Sequence, residues 1–92
     1  MKPLRFSPRA DADFDRIVAY YVQVAPEALP NIKADIERGL DLIKDHPERT
    51  ALVPEKSYRR LVRARYRFKI AYRVRPLHID ILGIYRHQNR TA

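Results

Sequence analysis

The amino-acid sequence predicts an α+β fold in the order β-α-α-β-β-β: an N-terminal helical hairpin packed on one face of an antiparallel sheet of three to four strands. Three observations lead there. Apolar residues recur at helical spacing through the first half, the spacing changes to two beyond Tyr58, and prolines break the chain between segments. At 92 residues the chain has the length of one small domain, 1–92, and its 46% hydrophobic and 33% charged content is that of a folding sequence.

Leu4 and Phe6 flank Arg5 just ahead of Ser7-Pro8 and form a short opening strand. Ser7 and Pro8 start a helix, because a Ser hydroxyl accepts a free first-turn amide and Pro suits the first helical position. Asp11 and Asp13 fall in the first turns, where the helix dipole favours anions. Ala10, Phe14, Ile17, Val18, Tyr21 and Val22 give residues 8–24 an apolar face, and Ala25-Pro26 ends it. A second helix begins near Pro26, with Pro30 making its start irregular. Ile32, Ile36, Leu40 and Ile43 form its apolar stripe, opposite Lys33, Asp35, Glu37, Arg38, Asp41 and Lys44. His46-Pro47 stops it, and residues 47–57 form a loop.

Residues 59–64 form the next strand, with a turn near Arg65. Across 66–74, Tyr66, Phe68, Ile70, Tyr72 and Val74 alternate with Arg67, Lys69, Ala71 and Arg73, giving one buried and one cationic face. Pro76-Leu77 turns the chain into a last strand from Ile79 to Tyr85. The predicted core contains Phe14, Ile17, Tyr21, Ile32, Ile36, Leu40, Phe68, Ile70, Tyr72 and Ile81.

Composition removes several function classes. With no Cys, disulfides, thiolate zinc sites and a Cys nucleophile are excluded. Two glycines, Gly39 and Gly83, cannot build a P-loop or a dinucleotide fingerprint. No apolar run approaches the ~20 residues of a membrane span, and charge follows the first residues too closely for a signal peptide, so a cytoplasmic location is expected. His and carboxylates lack metal-ligand spacing, and neither metal nor cofactor is expected.

Charge is the informative asymmetry. The formal net charge is +8, yet residues 1–57 sum to −1 and residues 58–92 to +9, with Asp80 the single acid of that block. Such a block implies an anionic partner, nucleic acid or acidic protein, and Arg forks on Arg67, Lys69 and Arg73's strand face suit phosphate or carboxylate alike. His46 reads as a helix-end cation and His78 as solvated. Tyr85, Arg86 and His87 close the last strand; they could serve a metal-free ribonuclease as proton carriers and phosphorane ligands, or form an ordinary polar strand end.

Phe6-Ser7-Pro8-Arg9-Ala10 with the following Asp11 to Ile17, Ile43-Lys44-Asp45-His46-Pro47, and Arg67 to Val74 resemble the corresponding segments of the RelE/ParE superfamily toxins, and the tail Ile81 to Arg90 resembles the ParE branch in particular. The resemblance covers essentially the whole chain. Where the family commonly carries Gly at the turn before the long strand, this chain has Arg65-Tyr66.

The resemblance implies a toxin of a type II toxin–antitoxin pair that inhibits DNA gyrase, and hence replication, without cofactor. It also implies a hetero-oligomeric complex with a ParD-like ribbon-helix-helix antitoxin. Tyr85, Arg86, His87 and Arg90 are the expected target-binding residues, and Arg67, Lys69, Arg73, Tyr21 and Ile32 the expected antitoxin-binding residues. The alternatives are a RelE-like ribosome-dependent mRNA interferase and a non-toxic antitoxin-binding module. For the nuclease, Arg63, Arg65, Arg86 and His87 are the chemically suitable groups, with Glu55 a conceivable base. The RelE type has a lysine pair at the second strand that is lacking here, which favours ParE.

Overall fold

The computed structural model describes residues 2–86. β1 (Leu4–Phe6) leads into α1 (Pro8–Val24); a single 3-10 turn (Pro26–Ala28) joins it to α2 (Leu29–Asp45), and β2 (Arg59–Arg63), β3 (Phe68–Val74) and β4 (Ile79–Arg86) follow. The element order is the predicted one. The irregular start expected between Pro26 and Pro30 is that 3-10 turn.

In space the strands run β1-β4-β3-β2. β2, β3 and β4 are antiparallel through short turns, but β1 lies parallel to β4, so the four-stranded sheet is mixed rather than wholly antiparallel. The reason is the connection: β1 reaches its neighbour only through both helices and two further strands, and no hairpin constrains its direction. α1 packs chiefly against β4 and α2 chiefly against β2, both on the same side of the sheet.

α1 begins as its sequence demands. Ser7 caps it, accepting from the Ala10 amide at 3.0 Å with Pro8 in the first turn. The same hydroxyl donates to the Leu82 carbonyl at 3.1 Å, and the Ser7 amide donates to the Ile81 carbonyl at 3.0 Å. This stitch sits at a bulge. Ala71 pairs with Gly83 but Tyr72 pairs with Ile81, leaving Leu82 as the extra residue of β4. The bulge lets Ile79, Ile81 and Ile84 all face the helices, although a regular strand would turn Ile84 outward.

The core is Tyr21, Ile32, Ile36, Ile43, Phe68, Ile70, Tyr72, Ile79, Ile81 and Ile84 around Ala10, with Phe14, Ile17 and Leu40 half-buried against it. The predicted face of β3 holds, since Phe68, Ile70 and Tyr72 are inside. Its start does not. Residues 64–67 form a turn, Arg67 takes the left-handed φ of 61°, and Tyr66 tucks against the core. Thus Arg67 occupies the backbone position where a glycine would be unstrained, and it is not on the cationic strand face. Val22, assigned to the apolar face of α1, is exposed, as are Tyr20 and Val24.

Candidate functional site

The register of the sheet decides which charged residues meet. Residues directly opposite in antiparallel strands share a face, so Arg63, Phe68 and Arg86 form one row on the helix side. Val62, Lys69 and Tyr85 form the next row on the open side. Tyr85 and Arg86, grouped by sequence as one target-binding segment, therefore point to opposite faces. His87 and Arg90, the other members, lie outside the described residues.

On the helix side, Arg86 lies over the Tyr21 ring, 5.8 Å from its centroid. Here α1 and the end of β4 leave a groove of about 420 Å³, with Ile17, Tyr21, Phe68 and Ile84 in its walls and Arg16 and Arg86 at its rim. Asp13 anchors it. Its Oδ2 accepts the Ile84 amide at 3.1 Å, and its Oδ1 accepts from Arg16 Nη2 at 2.7 Å. A Cβ on Gly83 would stand 3.1 Å from that Oδ2, so the glycine makes room for the carboxylate to reach the backbone. Asp13 is 7% exposed. Its role was hidden behind the helix-dipole reading, but its position, three after Ala10 and four before Ile17, lies on the apolar stripe.

Arg63 has a partner that sequence reasoning missed. Its Nη2 donates to Asp35 Oδ1 at 2.9 Å and its Nε to Oδ2 at 3.4 Å, with the Asp35 side chain 4% exposed. Asp35, assigned to the polar face of α2, is buried on the stripe between Ile32 and Gly39. The glycine at 39 lets α2 approach β2, for a Cβ there would stand 3.0 Å from both Arg63 Cδ and Ile70 Cδ1. Carboxylates in register with an apolar stripe were the available signal in both cases.

The nuclease candidates gather only in part. Arg63, Arg65 and Arg86 come to the same end of the sheet, but Arg63 is engaged by Asp35 and Arg65 lies over Tyr66 at 5.4 Å in the exposed turn. Glu55 is exposed in the loop before β2, with a φ of 60°. The antitoxin candidates divide likewise. Tyr21 and Ile32 are on the helix side, Lys69 and Arg73 on the open face, and Arg67 in the turn. Ile32 is 1% exposed and fixes α2 to the sheet, so its side chain is core rather than contact surface.

Two further groups have perturbed chemistry. Burial pushes the Tyr72 phenol above its ordinary value, opposed by the hydrogen bond with Thr50 and the Arg59 charge; its hydroxyl donates to the Pro47 carbonyl at 2.6 Å. Loss of hydration acts to raise the Asp80 carboxyl, but the Arg75 hydrogen bond and the charge and hydrogen bond of His78 hold it below the usual carboxylate range. His78 is thus half-buried beside Asp80 at 2.8 Å rather than solvated, and His46 is the C-cap residue of α2. Among the described residues no cluster of His, Asp or Glu could hold a metal ion, and no helix is long and apolar enough to cross a membrane.

Comparison with known proteins agrees with this architecture. A chain of the chromosomal ParDE toxin–antitoxin system from P. aeruginosa superposes with a TM-score of 0.79 at 28% identity, covering 96% of this chain and 98% of that one. The conserved hypothetical protein HP0894 from Helicobacter pylori shares the fold, with a TM-score of 0.60 at 15% identity over 95% of this chain and 96% of that one. The search of curated proteins gives no match. The family model for the ParE toxin of the type II parDE toxin–antitoxin system matches residues 4–90, and the chain belongs to that toxin family.

Proposed function

We propose that this toxin acts in the cytoplasm by inhibiting DNA gyrase, and that a small antitoxin of the ribbon-helix-helix class with an acidic segment neutralises it. The observation that supports gyrase over mRNA cleavage is the Arg63–Asp35 pair. A guanidinium held by a buried carboxylate is not free to stabilise a phosphorane, so the nuclease set loses a member. Antitoxin capture is supported on the helix side, where Tyr20 is exposed at the apolar groove rimmed by Arg16 and Arg86. Such a surface suits an apolar segment carrying carboxylates, which would bind as it orders. Tyr21 and Arg86 then belong to antitoxin binding, and the open face stays available to the target.

Expression in bacteria tests this reading. Growth arrest with DNA breaks, relieved by co-expression of the acidic antitoxin, is the expected result. Arrest accompanied by codon-specific mRNA cleavage and intact DNA would replace the gyrase reading with the nuclease one.

A further inference from the structure

Both helices pack on one side of the sheet, and among the described residues nothing covers the other. The pairing registers place Arg60, Val62, Lys69, Arg73 and Tyr85 on this open face, with Arg5 at its β1 edge. Arg5, Arg60, Lys69 and Arg73 have no carboxylate partner among the described residues. The acid on the face, Asp80, is already held by Arg75 and His78. The aromatics of β3 are inside, but Tyr85 is 38% exposed beside Lys69, with Val62 54% exposed on the far side of that lysine.

We propose that this open sheet face binds single-stranded DNA, with backbone phosphates on Arg60, Lys69 and Arg73 and an unpaired base stacked on Tyr85. Guanidinium forks fit phosphate oxygens, and base–aromatic stacking tolerates any sequence. A purely acidic peptide such as poly-glutamate would satisfy the cations but would leave Tyr85 and Val62 without the flat apolar partner that a base provides. With Asp80 held by Arg75 and His78, the face presents its cations without a competing free carboxylate among the described residues. The choice of DNA rests on the gyrase reading, because an inhibitor of gyrase works where gyrase holds DNA.

Fluorescence anisotropy on the full chain, with a labelled oligo-dT of about 12 nucleotides, tests this within the site sizes known for such surfaces. Affinity should fall with salt at a log–log slope of about −2, as about three phosphate contacts imply for single strands. Tyr85→Ala should weaken binding about tenfold or more while Tyr85→Phe retains it. Lys69→Glu should abolish binding, whereas Lys33→Glu on exposed α2, with the same change in net charge, should not. Equal losses for Lys69→Glu and Lys33→Glu would overturn the proposal, since net charge alone would then explain binding. So would tenfold tighter binding of an RNA of equal length, or of a poly-glutamate peptide. Gyrase inhibition is measured separately with the same preparations. Inhibition without DNA binding refutes this face alone, and DNA binding without inhibition refutes the gyrase reading alone.

Discussion

Replacing Arg63 by Ala separates a structural arginine from a catalytic one. The substitution removes both hydrogen bonds to Asp35 and leaves its carboxylate, 4% exposed, without another partner among the described residues. Breaking a buried ion pair on one side costs about 3–5 kcal/mol. The lower end applies, because the Arg63 side chain is 20% exposed and water can enter the vacated space. Against a typical stability of about 5–15 kcal/mol that loss is large. For a domain of this size, about 3 kcal/mol corresponds to a fall in Tm of roughly 12–24 °C. Urea unfolding of wild type and Arg63→Ala, with thermal scans alongside, reads the loss directly. The double variant Asp35→Leu with Arg63→Met should recover most of it, because a buried ion pair can often be replaced by apolar residues at little net cost. That variant should also still arrest growth. A stable Arg63→Ala protein with unchanged Tm and abolished toxicity would refute the reasoning and restore Arg63 to a catalytic role.

Other substitutions probe the supports of the site. Asp13→Ala strands the buried Ile84 amide and should cost about 1–3 kcal/mol in urea unfolding, with Gly83→Ala destabilising in the same region because its Cβ would crowd that carboxylate. Tyr72→Phe should lose about 1–2 kcal/mol by removing the hydroxyl that holds residues 47 and 50. Because the folded Tyr72 value is raised, its contribution is complete below the ordinary phenol value of about 10 and disappears as pH rises through the folded one; absorbance at alkaline pH should show one late-titrating phenol that the Phe variant lacks. Asp80 has the opposite sign. Its depressed folded value gives a contribution present above the ordinary 3.8 and lost as pH falls through the folded value, and Arg75→Ala should move the carboxyl upward in an NMR titration.

The fold was largely legible because its determinants are local. Ser7-Pro8 and His46-Pro47 bound helices by capping chemistry, and alternation from Phe68 to Val74 sets one strand face without reference to the rest of the chain. What was not legible depends on partners distant in sequence. The parallel docking of β1 on β4, the Leu82 bulge, and the Asp13–Ile84 and Asp35–Arg63 contacts each join segments many residues apart. The split between Tyr85 and Arg86 follows directly from strand geometry once the last strand is extended to residue 86. The same alternation turns the two side chains to opposite faces, although both residues line the groove between α1 and the end of β4.

Incubating the purified toxin with DNA gyrase and supercoiled plasmid tests the central claim most directly, with ribosomes and mRNA in a parallel reaction. His87→Gln is carried through both, because Gln keeps hydrogen bonding but cannot carry a proton at neutral pH. Accumulation of cleaved plasmid, with mRNA intact and the Gln variant still active, is the predicted result. Cleavage of mRNA on the ribosome that falls by about 10²–10⁴ in the Gln variant, as loss of general acid–base catalysis requires, would contradict it.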